Sequence, residues 1–253
     1  SEMCIRDRDR LTMKLLIIRH GDPDYSVDSL TEKGRREARL LARRLADVKI
    51  DAFYVSPLGR ARDTAEYTLK VKNAEAEVCP WLREFHAPVT DEHSGNERLP
   101  WDLLPADWTA YEEYFKDDLW HTTEMMKSGN VISEARRVYD GIDGILVRHG
   151  YRREGRYYRA ERPNRDTVAL FCHFGVECVM LGHLLGISPV VLWHGLCAAP
   201  SSVTVLTTEE RREGIAYLRM NTFGDTGHLY AGGETPAFAA RFCEVFDSDE
   251  RHD

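Results

Sequence analysis

Two histidines occupy the same kind of place in this chain: His20 ends the segment KLLIIRH that begins at Lys14, and His173 directly follows TVALFC (167–172). Both apolar runs are short and continuous, the pattern of strands buried on both faces of a parallel sheet. Each histidine therefore opens a strand-to-helix turn. In parallel α/β sheets the side chains at the carboxyl ends of the strands converge on one crevice, where the following helices also aim unpaired N–H groups. Arg19 precedes the first histidine, and Arg60 falls just inside the helix expected after a third run, AFYVS (52–56). Two imidazoles and two guanidiniums from both halves of the sequence can thus meet in one small volume. That set suits a phosphoryl group, because guanidinium forks match its oxygens and an imidazole serves as donor or nucleophile.

The elements that would position these groups follow an α/β alternation. After the turn-rich stretch DPDYSVDS, Thr31 can cap a helix whose Ala38, Leu41, Ala42 and Leu45 keep the i, i+3, i+4, i+7 spacing. Pro57 then opens a second helix in which Ala61, Ala65 and Leu69 share a side. From Phe85 to about Arg165 the alternation stops, in a segment rich in tryptophan (Trp101, Trp108, Trp120), tyrosine and acid that ends in a helix from Ser133 to Gly150. The tryptophans are expected to form a subdomain core, with a contribution to a lid. TVALFC, a helix over 175–187 ended by Gly186, strands at 201–209 and 215–223, and a helix within ETPAFAARFCEVF complete the pattern. The expected architecture is α/β, a mostly parallel sheet flanked by helices on both faces, with 85–165 as a helical insertion over the carboxyl ends of the strands. The charged, aperiodic residues 1–12 are expected to be a non-native or disordered leader, and 13–253 a single domain.

Arg19-His20-Gly21, SLTEKGRREA (29–38), SPLGRARDTA (56–65), LRE (82–84) and Cys172-His173-Phe174-Gly175 together resemble the histidine phosphatase superfamily, which includes the phosphoglycerate mutases. The resemblance runs over most of Met13–Thr208. It implies that His20 is phosphorylated, that Arg19, Arg60 and His173 hold the phosphate, and that Glu84 donates the proton to the leaving oxygen. Three places depart from the family's pattern, and at two of them Pro23 and Ser26 stand where Thr or Ser and Asn are usual. Phe174 replaces a small residue, so its backbone N–H is expected to face the ligand while its side chain packs elsewhere.

Composition narrows the partners. With 34 Lys+Arg against 42 Asp+Glu the net charge is −8, which on average repels nucleic acid. No apolar run approaches the length of a membrane span and the first twelve residues are charged rather than signal-like, so a cytoplasmic protein is expected. Six cysteines without a C-x-x-C pair read as buried free thiols. His86 and His93 lie near acidic residues but lack metal-ligand spacing, and no cofactor or metal is expected. His183 and His194 are expected to pack or hydrogen-bond. The arginine-rich stretch 148–165 reads as a solvated hairpin turned about Gly155, with steering of anions as the alternative. The expected function is metal-independent hydrolysis of a small phosphorylated metabolite through a phosphohistidine on His20. Phosphoglycerate mutase-type transfer and phospholigand binding without turnover are the alternatives, and the oligomeric state stays open.

Overall fold

In the computed structural model, which describes residues 12–92 and 94–238, KLLIIR forms strand β1 (Lys14–Arg19). Helix α1 (Glu32–Leu45), strand β2 (Ala52–Val55), helix α2 (Gly59–Lys72) and the short strand β3 (Glu77–Val78) follow. A long intervening segment leads to helix α3 (Val131–Arg148), the hairpin of β4 (Tyr151–Glu154) and β5 (Tyr157–Ala160), and strand β6 (Thr167–Cys172). Helices α4 (Phe174–Leu185) and α5 (Pro189–Gly195) then precede the long pair β7 (Val203–Arg212) and β8 (Ile215–Asp225).

The eight strands form one sheet in the order β3-β2-β6-β1-β7-β8-β5-β4. Neighbours from β3 to β1 pair parallel, and each neighbour from β1 to β4 pairs antiparallel. Since β8 and β4 thereby return to the direction of β1, six of the eight strands run one way. The parallel half carries the site.

Period-two alternation divides the core in two. Leu16, Ile18, Ala169 and Phe171 pack with Phe53 and Val55 against Leu41 and Leu45 of α1 and Ala61 and Ala65 of α2. Leu15, Ile17, Val168, Leu170 and Cys172 face the opposite way, onto α3, α4 and α5. Every residue of β6 is buried, which accounts for its unbroken apolar sequence. Thr31 does cap α1, its Oγ1 accepting from the Gly34 N–H at 3.0 Å, and Gly186 ends α4 in the left-handed region at φ 68°.

The segment 85–165 differs from a separate helical insertion. It holds a small hairpin (Val89–Thr90 with Glu97–Arg98), short helices at Pro105–Trp108 and Glu124–Ser128, and α3, which packs into the main core. Its last part, β4 and β5, is the far edge of the main sheet. The hairpin does turn at Gly155, with φ 63°. Four of the seven arginines in 148–165 are ion-paired, Arg152 to Glu161, Arg156 to Asp117, Arg159 to Glu154, and Arg148 to Glu77, while Arg153 bonds the Tyr158 hydroxyl and Arg162 the Arg148 carbonyl.

Cys79, Cys172 and Cys178 are buried, whereas Cys197 is exposed, contrary to the uniform expectation. Among the described residues no helix is long and apolar enough to cross a membrane. The expected leader, apart from Thr12, lies outside the described residues, as do His93 and the closing helix beyond residue 238.

Candidate active site

The site begins with the turn after β1. Arg19 donates from its backbone N–H to Ser202 O, and His20 from its own to Cys172 O, so both are pinned to the neighbouring strand ends. Gly21 is required by packing: a Cβ there would lie 2.8 Å from Gly34 O, and one on Gly34 would lie 2.3 Å from Asp22 O. The start of α1 is thereby pressed onto the histidine turn. The Gly21 N–H donates to Thr64 Oγ1 of α2 at 2.9 Å, tying the second helix to the same turn.

The distant histidines meet. Their ring centroids are 5.1 Å apart, and both rings are buried. His20 Nδ1 lies 2.7 Å from Gly21 O, the backbone acceptor that a nucleophilic imidazole requires, so Nδ1 carries the hydrogen and Nε2 the lone pair. Arg60 Nε donates toward that Nε2 at 3.4 Å. Burial first, then the charge of Arg19 and more weakly that of Arg60, hold the His20 pKa well below 6.5. His173 is likewise held well below 6.5, by burial and then by His20, Arg60 and Arg19.

Arg60 is placed by residues that sequence reasoning missed. Its Nη1 lies 2.5 Å from Asp28 Oδ1, while Asp28 Oδ2 accepts the Gly59 N–H at 2.7 Å at the start of α2. Tyr25 stacks under the guanidinium, 5.3 Å from its ring centroid. Ser56 is a third residue that sequence reasoning missed, with Oγ 2.7 Å from His173 Nε2 and accepting the Leu58 N–H at 3.2 Å. All three lie in stretches already singled out, DPDYSVDS and SPLGRARDTA, but nothing in their spacing assigns them a partner.

Glu84 caps α4. Its Oε1 accepts the N–H groups of Phe85 (2.7 Å) and Val176 (2.9 Å), and Oε2 that of Gly175 at a longer 3.3 Å. Burial raises the Glu84 pKa above 4.5, although those N–H groups and the Arg19 charge pull the other way. Arg19 is buried and donates from Nη1 to Ala198 O. Phe174 corrects the expectation that its side chain packs away from the site, because it lines the cavity with its ring 5.8 Å from the Arg19 guanidinium.

Arg19, Arg60, Glu84, Trp101 and Phe174 are among the residues that line a cavity of about 560 Å³, and the two buried histidines lie behind Arg19 and Arg60 rather than in that lining. Trp101 is therefore a wall of the site, Trp120 is core, and Trp108 stacks on His194. His194 also accepts the Leu103 N–H, and His183 bonds Asp143 against the Tyr139 ring; both are packing and hydrogen-bonding residues. Among the described residues no group of three or more His, Cys, Asp or Glu side chains is arranged to hold a metal.

Known proteins resemble this chain in sequence and in fold. Phosphoserine phosphatase 1 of Hydrogenobacter thermophilus is 23% identical over 227 residues, 86% of this chain and 96% of its own. A probable phosphoglycerate mutase GpmB of Photorhabdus laumondii is 35% identical over 91 residues, which cover only 32% of this chain and 42% of that relative. The fold matches that of a mycobacterial glucosyl-3-phosphoglycerate phosphatase with a TM-score of 0.59 and 21% identity, over 85% of this chain and all of that one. A profile of one family matches residues 15–221, so that the turn after β1, the start of α2 and the turn after β6 all fall within it: the chain belongs to the histidine phosphatase superfamily (branch 1).

Proposed function

We propose that the protein is a metal-independent phosphatase of small phosphate monoesters that works through a phosphohistidine on His20. The observation that carries the reading is the 5.1 Å pairing of His20 and His173 beside two arginines, next to a cavity on whose wall Glu84 stands. The phosphatase names of long-spanning relatives, phosphoserine phosphatase 1 and the adenosylcobalamin/alpha-ribazole phosphatase of Salmonella typhi, support the same class.

The steps follow from the atoms present. His20 Nε2 attacks phosphorus in line, the P–O bond to the alcohol breaks, and its electron pair goes to the leaving oxygen. Glu84 gives that oxygen a proton, most readily from Oε2, the oxygen with the single long contact. Arg19, Arg60 and His173 spread the charge of the equatorial oxygens. Ser56 Oγ accepts the Leu58 N–H and gives its own proton to His173 Nε2, which leaves the hydrogen of His173 on Nδ1. That Nδ1 is buried without a protein partner, and a phosphoryl oxygen would satisfy it. In the second step water attacks phosphorus, Glu84 takes its proton, and the P–N electron pair returns to Nε2.

Phosphate release is measured on sugar, nucleotide, glycerate, benzyl and aryl phosphates with chelator present. Activity that survives the chelator and falls on the order of a thousandfold or more in His20→Ala supports the reading. Primer-dependent interconversion of phosphoglycerates without phosphate release would replace it with a mutase.

A further inference from the structure

The leaving group of the ester must lie where Glu84 can protonate it, and what borders Glu84 is aromatic. A Cβ built on Gly175 would come 2.8 Å from Glu84 Oε1 and 2.9 Å from Trp101 Cζ3, so carboxylate and indole flank the same glycine. Trp101 is held rigidly: its ring packs on Phe85 (6.3 Å between centroids) and Trp193 (6.2 Å), and Trp193 Nε1 donates to Gly175 O at 3.0 Å. The helix that presents Gly175 and the ring beside it are thus one packed unit. Leu58 and Leu99 join Trp101 and Phe174 in the lining.

We propose that this wall selects phosphate esters whose alcohol carries a flat apolar group, such as an aromatic ring, one carbon from the ester oxygen. The inference rests on the phosphatase reading and names the substrate class of that site. The cavity, about 560 Å³, falls within the roughly 300–1,000 Å³ range of pockets that enclose drug-sized ligands. Away from Arg19 and Arg60, the basic side chains this lining offers a second acidic group on the substrate are Arg83 and the exposed His86. Arg83, also in the lining, is held by Glu134 at 2.8 Å, and the exposed carboxylate of Asp102 stands on the same lining to repel it.

Benzyl and ethyl phosphate share a primary alcohol of similar acidity, so a difference between them reports the ring and not the chemistry of P–O cleavage. The wild type is expected to favour benzyl phosphate in kcat/KM by about 10- to 100-fold, within the range one fitted apolar group supplies. Phosphoserine and 3-phosphoglycerate should fall below benzyl phosphate. Trp101→Ala should bring the benzyl-to-ethyl ratio close to one, and Trp101→Phe, which keeps a ring in the cluster, should restore most of it. Equal rates for benzyl and ethyl phosphate, a preference for phosphoserine or 3-phosphoglycerate, or a Trp101→Ala ratio like that of the wild type would overturn the proposal. Binding of benzylphosphonate against methylphosphonate, followed by calorimetry, separates the two readings. Selective benzylphosphonate binding without turnover of any ester would keep the ring site and remove the phosphatase, whereas turnover with equal binding of both phosphonates would do the reverse.

Discussion

His20 and Glu84 are pushed in opposite senses by burial. Burial makes the imidazole's cation the costly form and lowers its pKa well below 6.5, and it makes the carboxyl's anion the costly form and raises its pKa above 4.5. The first chemical step needs both of these forms. In a pH profile of kcat/KM, activity should be lost on acidification with a limb below 6.5, as His20 protonates, and on alkalinisation with a limb above 4.5, as Glu84 ionises. Glu84→Gln should be slow and should lack the alkaline limb while keeping the acid one; an unchanged profile would remove Glu84 as the acid. Ser56 acts one residue away, through the His173 tautomer. Ser56→Ala should lower kcat by about 10- to 100-fold with a smaller change in KM, and Ser56→Thr, which keeps the hydroxyl, should recover most of it. Equal loss in both variants would assign Ser56 to packing alone.

At the scale of elements, the site is a set of close approaches between a strand end and a helix start. Gly175 shows how little room there is: Gly175→Ala would crowd both the Glu84 carboxylate and the Trp101 ring with its Cβ. It should cost at least about tenfold in kcat/KM, the scale on which misplaced catalytic groups act, with far-ultraviolet circular dichroism unchanged. The strands behind the site tolerate truncation no better, and Phe171→Ala, in the buried middle strand, should lose about 3–5 kcal/mol in denaturant unfolding. The same strands were the legible part of the sequence. β1 and β6 announce themselves as continuous apolar runs because both faces are covered, and Thr31 and Gly186 mark helix ends by side-chain and backbone chemistry that is local. What escaped is what depends on contacts distant in sequence. Asp28 finds Arg60 and Gly59 only across the fold, Ser56 finds His173 across 117 positions, and β4–β5 join the sheet by pairing with β8, which no local period reveals. Phe174 was judged by size alone, while its place over Arg19 was decided by the cavity.

At the scale of the whole molecule, the buried carboxyls Glu177 and Glu37 near this machinery contribute to how stability varies with pH. Glu177, 1% exposed, accepts from Thr204 Oγ1 on one oxygen, and burial pushes its pKa up to about 7 from 4.5. The folded protein therefore holds a proton there that the unfolded chain releases, and the group's contribution to stability falls as pH rises from about 4.5 through 7. Glu177→Gln should accordingly raise stability at pH 8 by on the order of 3 kcal/mol while changing it little at pH 4, read as Tm at the two values. An equal shift at both would assign the effect to packing. Glu37, also buried and raised to about 7, adds to the same wild-type trend, and His20 and His173 oppose it on the acid side. The chain as a whole is acidic, yet its strand ends gather Arg19 and Arg60 around two neutral imidazoles, which is the arrangement a phosphoryl anion needs. The most direct test is to mix enzyme with ³²P-labelled benzyl phosphate, quench within milliseconds in denaturant at alkaline pH, and map the labelled residue by mass spectrometry. A base-stable, acid-labile phosphate on Nε2 of His20, absent from His20→Ala, is the predicted result. Label on another residue, or full turnover with no phosphoprotein at any quench time, would contradict the account.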